Sequence, residues 1–500
     1  MAHSERMDSV DVTWLRMDRP ANLMIIVGVL ILAAPVDVKR LEATLASRIL
    51  SYPRFSKRVE TRTDGLYWCD DPHFDIAHHI KRTRLPGGAG KAELQRFVAD
   101  LAGRPLDRAH PLWEYQIVED YDGGAAVVMR MHHAIADGIA LVKVLLSLTD
   151  DRPDAPMERG KRDVRKGTRA GFALEDSFGL AGRLVGGGLR VSDEALKVAL
   201  DVVAHPTRAA DYLRQGSGVA GELAYLLFMP TDTPTRFKGV PLGDKRVAWA
   251  DPIPLPEVKA VSRALGCSVN DMLLAAIAGA LKGYLEEKGD ATRGVEVRAL
   301  VPINLRPPGS GEELGNRFGI IAVELPVGFE SPLERLYEVR RRMEALKTSY
   351  EPSVTLGLFA GLGYGPQVVQ DKLFDLLLSR ATAVMTNVPG PQQPLYLAGS
   401  ELKQMMFWVP QSGNIGMGVS ILSFNGEVHF GLVTDAALVP DPEAIIARFA
   451  PEFERLLYFV LMGAWGEGPA PDRAAEPVVP RQQTRAGRKP GPAKRPRAPA

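Results

Sequence analysis

The sequence predicts an α/β protein built of two α/β halves, and three observations carry that expectation. Short apolar, β-branched runs alternate with helix-spaced apolar residues from the N-terminus to about residue 150. The same alternation resumes at Arg246. Between the two, Asp150 to Gly171 is dense in charge, Pro and Gly and holds scarcely any large apolar residue, which is the composition of a surface linker. Five hundred residues at 46% hydrophobic and 24% charged exclude disorder, collagen and an integral membrane bundle as descriptions of the whole chain.

Leu23 to Val36 is the most apolar stretch, and at fourteen residues it falls short of the roughly 18 to 20 a helix needs to cross a bilayer. Glu5, Asp8, Asp11 and Asp18 precede it where a secretory signal would carry a basic start. Ile25, Ile26, Val27, Val29 and Ile31, between Pro20 and Pro35, instead predict a strand buried on both faces. Leu94, Phe97, Val98 and Leu101 have helical spacing within Ala92 to Ala102. Ala125 to Met131 reads as a strand and Ile139 to Leu148 as a helix. Phe172 to Leu227 is helix-rich although Gly186, Gly187 and Gly188 interrupt it. In the second half, Val258 to Leu265 and Asn270 to Leu285 read as helices. Gly294 to Ile303, Ile320 to Val327, Met417 to Leu422 and His429 to Val433 read as strands. A last helix, Asp441 to Leu461, carries Ile445, Ile446, Phe449, Phe453, Leu456 and Leu457 on one face. The resulting division is an α/β domain over 1–149, a charged linker and helical crossover over 150–227, a second α/β domain over 228–467 and a disordered basic tail over 468–500.

The chemistry concentrates in His132-His133-Ala134-Ile135-Ala136-Asp137-Gly138, which leaves a strand and enters a helix, the setting in which folds present reactive side chains. A histidine can act as general base near neutral pH, worth about 10²- to 10⁴-fold in rate. Asp137 is placed to orient a neighbour, and Gly138 to let the backbone turn sharply into the helix. A second pair, His78-His79, is followed by Thr83 and Arg84 and carries no such pattern. Three other readings stand beside catalysis. A zinc site lacks a third ligand nearby. A Ser-His-Asp hydrolase lacks its GxSxG elbow, Gly216-Ser217-Gly218 being only a glycine-flanked serine. Buried histidines satisfied by backbone groups are the structural alternative. Cys69 and Cys267 cannot form a disulfide framework, and a reducing compartment is expected.

HHxxxDG resembles the signature shared by chloramphenicol acetyltransferases, carnitine acyltransferases, peptide-synthetase condensation domains, plant acyltransferases and bacterial wax ester synthase/diacylglycerol acyltransferases. The remaining motifs select the last of these. Asp8-Ser9-Val10-Asp11 with Trp14-Leu15 and Asn22 to Met24, Pro111-Leu112-Trp113-Glu114, Ser268-Val269-Asn270-Asp271, Asn304-Leu305-Arg306 with Gly315-Asn316, and Thr386-Asn387-Val388-Pro389-Gly390-Pro391 look like its motif set, in order, over residues 8 to 462. The DFGWG motif of the plant-type enzymes is not found. Trp14 and Asp18 stand where many members have Phe and Glu, and Ile25 where many have His. These departures are expected to alter the acyl pocket without touching catalysis.

The resemblance implies two chloramphenicol-acetyltransferase-like α/β domains with an active-site tunnel between them. It implies transfer of a long acyl chain from acyl-CoA to diacylglycerol or a long-chain alcohol, by direct attack without an acyl-enzyme. His133 would be the general base and His132 would support the site. Asp137 would hold the loop through a charged partner, with Arg306 as candidate. Asn270 and the adjoining Asp271 would serve the reacting groups from the second domain, the alternative for Asn270 being an ordinary N-cap. Pro111, Leu112 and Trp113 would be structural, as would Asn387, Pro389 and Gly390 in a proline-rich turn lining the cleft. No metal and no cofactor are implied, acyl-CoA being a substrate. Other functions left open are transfer to a non-lipid hydroxyl or amine, as in condensation domains, and a non-catalytic binding module.

The net charge of +1 hides an asymmetry. Seven of the 61 Lys and Arg lie in the last twenty residues, which hold no Asp or Glu, and the remaining 54 face 60 acidic residues. No nucleic-acid motif accompanies the basic tail, and no nucleic-acid partner is expected. A cytoplasmic protein held peripherally at the inner face of the plasma membrane or on lipid bodies is expected. The tail is either a tether to anionic lipid or a solvated end.

Overall fold

The computed structural model describes residues 4–87, 90–156, 229–304, 318–346, 355 and 378–463. Over these residues the first half contains β1 (Ser4–Arg6), α1 (Ser9–Arg16), β2 (Ile25–Leu32), α2 (Val38–Ile49), β3 (Lys57–Arg62), β4 (Gly65–Asp70), β5 (Ile80–Arg84), α3 (Lys91–Ala102), β6 (Trp113–Tyr121), β7 (Gly124–His132) and α4 (Gly138–Leu148). The second half contains β8 (Lys245–Trp249), β9 (Ile253–Pro254), α5 (Leu255–Ala264), α6 (Val269–Glu287), β10 (Val297–Asn304), β11 (Phe318–Leu325) and α7 (Pro332–Leu346). It ends with β12 (Ala383–Pro389), β13 (Tyr396–Leu397), β14 (Ser400–Trp408), β15 (Met417–Phe424), β16 (Glu427–Asp435) and α8 (Pro442–Leu461).

Two mixed sheets form the frame, one with the order β13-β14-β2-β7-β6-β5 and one with the order β11-β10-β12-β15-β16-β8, where β9 also pairs with β16. A small β1-β4-β3 sheet stands apart. Every residue of β2 is buried, as its unbroken apolar run predicts. Ile26, Leu30 and Leu32 pack in one core with Leu41, Leu45, Leu141 and Leu145 of the helices α2 and α4. Ile25, Val27, Val29 and Ile31 face the other way, onto Leu94 and Val98 of α3 and onto Trp249, Trp408 and Val433. In the second half α6 is buried almost throughout, because α5, α7 and α8 and the second sheet surround it. Ile445, Ile446, Phe449, Phe453 and Leu456 of α8 point into that same core, and Leu457 is half-buried at its margin.

The strand order does not follow the division of the chain into 1–149 and 228–467. β14 lies late in the sequence yet pairs antiparallel with β2, from Leu402 opposite Leu32 to Trp408 opposite Val27, and so completes the first sheet. The stretch 396–408 therefore belongs with the N-terminal half, where β2 would otherwise offer an open edge and where apolar side chains of β14 are buried on both faces of the sheet. Asp150, taken above as the start of the linker, is likewise built in. It exchanges backbone hydrogen bonds with Tyr396, 2.8 Å each way, and its carboxylate meets the buried Arg48 at 3.1 Å. Lys245 of β8 fastens the halves again, its Nζ donating to Asn22 Oδ1 and Gln411 Oε1 at 2.7 Å each. Residues 157–227 of the crossover, Arg306 with Gly315 and Asn316, and the basic tail lie outside the described residues.

Among the described residues no single helix is long and apolar enough to cross a membrane. α5 and α6 pass that test only as a pair bent by 98°, and most of their apolar residues are core residues.

Candidate active site

β7 delivers the histidines. Ile25 of β2 stands opposite His132, and one residue further the His133 N–H donates to Met24 O at 2.7 Å, so the ladder extends one step past the strand. On the other side the His132 N–H donates to Leu112 O at 2.9 Å. The two histidines are thus clamped between Asn22 to Met24 and Pro111 to Trp113. Trp113 is held in turn: its indole donates to Phe55 O at 2.8 Å and its ring stacks on His79 at 4.2 Å. Pro111 O accepts the Trp113 N–H. This trio builds the frame of the loop.

The two imidazoles differ in environment. His132 Nδ1 accepts the Ala134 N–H at 3.1 Å, which leaves the ring proton on Nε2, 3.3 Å from Asp18 Oδ2. With both nitrogens occupied in this way, His132 is a brace within the loop. Burial alone would raise the Asp18 carboxyl, but His132, the Met24 N–H at 2.6 Å and Arg108 at 2.8 Å together hold it below the ordinary carboxylate range. His133 is 4% exposed, and its ring stacks on Trp14 with centroids 4.1 Å apart and planes 22° from parallel. Trp14 and Asp18, expected to leave catalysis untouched, each contact one of the two histidines. Their sequence distance, more than 110 residues, hides this, and only the pairing of β2 with β7 brings α1 to the loop.

Asp137 caps α4, its Oδ1 accepting the Ala140 N–H at 2.9 Å, and it is 2% exposed. Its carboxylate lies at the positive end of a helix, which suits an anion that holds the loop. The glycine that follows has a different part from the one expected. Gly138 is not in the left-handed region, and a Cβ there would sit 3.7 Å from Val409, an ordinary contact, so no sharp turn demands glycine.

In the second half, the N-cap of α6 is Ser268 and not Asn270. Ser268 Oγ accepts the Asp271 N–H at 3.1 Å while Asp271 Oδ2 accepts the Ser268 N–H at 2.9 Å. Asp271 thereby closes a capping box with Ser268. Asn270, relieved of capping, accepts from Asn387 Nδ2 at 2.7 Å. Asn387 and Pro389 lie within β12 and not in a turn, since β12 pairs parallel with β15 as far as Pro389 opposite Ser423. The turn begins at Gly390, where a Cβ would come within 2.5 Å of Ser423 O, so only glycine lets the strands approach.

One residue escapes any motif. Arg54, in the 3-10 turn Pro53–Ser56, donates to Ile135 O inside the loop at 2.9 Å and pairs with Asp11 at 2.8 Å. The loop also faces the second half: Ala134, Ile135 and Ala136 share a core with Leu300, Ala322, Leu422 and Phe424.

Residues 7–273 match the model of the wax ester synthase/diacylglycerol acyltransferase catalytic domain, and residues 314–457 match the C-terminal domain of the same family. The chain belongs to the wax ester synthase/diacylglycerol acyltransferase family. Among its relatives, a Mycobacterium tuberculosis protein named as a diacylglycerol O-acyltransferase is 29% identical over 457 residues, covering 88% of this chain and 92% of its own. A second M. tuberculosis protein with the same description is 28% identical over 476 residues, 91% of each chain. The solved wax ester synthase/diacylglycerol acyltransferase of Marinobacter aquaeolei VT8 shares the fold, with a TM-score of 0.64 and 20% identity, over 91% of this chain and all of that one. So does the first condensation domain of the calcium-dependent antibiotic synthetase, with a TM-score of 0.54 and 14% identity over 92% and 96%. The wax ester synthase/diacylglycerol acyltransferase motifs thus sit on the two-domain α/β fold that the signature implies, and the chain is an acyltransferase of that family.

Proposed function

We propose that the protein transfers a long-chain fatty acyl group from acyl-CoA to the hydroxyl of diacylglycerol or of a long-chain alcohol, with His133 as general base. The acceptor oxygen attacks the thioester carbonyl carbon, His133 takes the hydroxyl proton, the C–S bond breaks, and the proton passes to the departing thiolate. No acyl-enzyme forms, and no cofactor takes part. The observation that carries this reading is the placement of His133 at the face where the halves meet: its N–H is held by Met24 O, its ring lies on Trp14, and it is buried in the loop whose Ala134, Ile135 and Ala136 share a core with the second half. An apolar surround at that face suits an acyl chain in a tunnel between the halves and keeps water from the thioester. Substrates this apolar reside in lipid phases, so peripheral contact with the inner membrane face or lipid bodies accompanies the activity.

Purified protein incubated with labelled palmitoyl-CoA and either dioleoylglycerol or hexadecanol is expected to yield labelled triacylglycerol or wax ester. His133→Ala is expected to lower turnover by about 10²-fold or more without loss of fold. Release of free thiol without ester, or full activity in the variant, would end the proposal.

A further inference from the structure

We infer that Arg54 is a positioning residue for the transfer, holding the middle of the HHxxxDG loop at the geometry His133 requires. This rests on the reading of His133 given above. Ala134, Ile135 and Ala136 are fully buried, so the loop's carbonyls must be met from within the protein. Arg54 Nη1 meets that of Ile135 at 2.9 Å, and the same nitrogen lies 2.8 Å from Asp11 Oδ2. The guanidinium also lies over the Trp68 ring, 5.5 Å from its centroid. Two acceptors and an aromatic face suit the flat, multiply donating guanidinium of arginine.

The neighbours of Arg54 give this contact its direction. Asp11 stands on α1 three residues before Trp14, hence on the same helical face, and Trp14 is the ring stacked on His133. Arg54 therefore ties the loop's central carbonyl to the helix that sets the plane of the His133 imidazole. Phe55, the next residue, accepts the Trp113 indole N–H, and Leu112 beside Trp113 accepts the His132 N–H. A single 3-10 turn thus reaches the histidine loop by two routes, one through a side chain and one through the backbone. Both Arg54 and Asp11 are buried, at 9% and 0% exposure. A buried ion pair is weak support for stability compared with apolar side chains of like volume, so its value here lies in orientation.

The test uses the full-length protein with palmitoyl-CoA and hexadecanol or dioleoylglycerol. Arg54→Ala is expected to lower kcat by about 10- to 100-fold with little change in the KM for palmitoyl-CoA. Millimolar guanidinium, and not ammonium at equal concentration, is expected to restore part of the loss. Because the single variant leaves Asp11 buried without its cation, Asp11→Leu combined with Arg54→Met removes both charges together. This double variant is expected to melt near the wild type, to show the same fall in kcat, and to exchange the amides of Ala134 and Ile135 faster. Wild-type kcat in both variants, or unchanged exchange across the loop, overturns the positioning role. If the wild-type protein acylates neither acceptor, the functional reading fails, and the exchange rates alone decide whether Arg54 holds the loop.

Discussion

Asp18 shows how one carboxylate can order the histidine loop. Its Oδ1 accepts the Met24 N–H, whose own carbonyl accepts the His133 N–H, and its Oδ2 faces His132 and Arg108. Asp18→Asn keeps an acceptor for Met24 and removes the charge opposite the His132 ring. It is expected to lower kcat about 10-fold, read against an unchanged KM for palmitoyl-CoA. The same substitution acts on acid stability. The Asp18 carboxyl titrates below its ordinary value of 3.8 in the folded protein, so its stabilising effect is complete above that value and is lost as pH falls through the lowered one. Acid unfolding followed by circular dichroism is expected to be shallower below about pH 4 in the variant; an identical slope would show that Asp18 is no better held when folded than when unfolded. HHxxxDG, as a residue pattern, was legible in the sequence. Asp18, Trp14 and Arg54 were not legible as its supports, because they join it through pairing partners more than 75 residues away.

At the scale of elements, the β15–β16 hairpin carries a second titrating group. His429 on β16 lies opposite Leu422 and is 2% exposed. Burial pushes its imidazole down to about 4 from an ordinary 6.5, the Phe424 backbone opposing the shift in part. Between those two values the unfolded chain binds a proton that the folded chain does not, so stability falls as pH drops from 6.5 towards 4 and levels off below it. The loss is on the order of 3 kcal/mol. His429→Gln is expected to flatten that stretch of a urea-denaturation series collected across pH, and a slope equal to the wild type would refute the assignment. Element by element, most strands and helices followed from apolar periodicity, which local sequence records. The status of Asn387 and Pro389 did not. A proline-flanked motif reads as a turn, and only the neighbouring β15 makes it the end of a strand.

At the scale of the molecule, β14 is the decisive element. By pairing with β2 it extends the first sheet with chain that lies between β12 and β15 of the second sheet, so the halves are interlocked instead of strung in series. A fragment of residues 1–156 would leave β2 with an open edge and Met24, Ile26 and Leu30 short of part of their packing. That fragment is expected to aggregate or to melt without cooperativity, followed by circular dichroism and light scattering. A soluble fragment with a cooperative melt and dispersed amide resonances would show that the first half folds by itself.

The sequence by itself determined the α/β class, the two halves, the histidine motif and the family, because each is written in local periodicity or in residues adjacent along the chain. Tertiary structure alone decided which strand completes which sheet, which histidine has both ring nitrogens engaged by Asp18 and the Ala134 N–H, and that α1 and the turn at Arg54 reach the loop. Those are relations between side chains and strand edges brought together by folding. Their energy comes from burying partners against each other, and local sequence carries no record of which partner that will be.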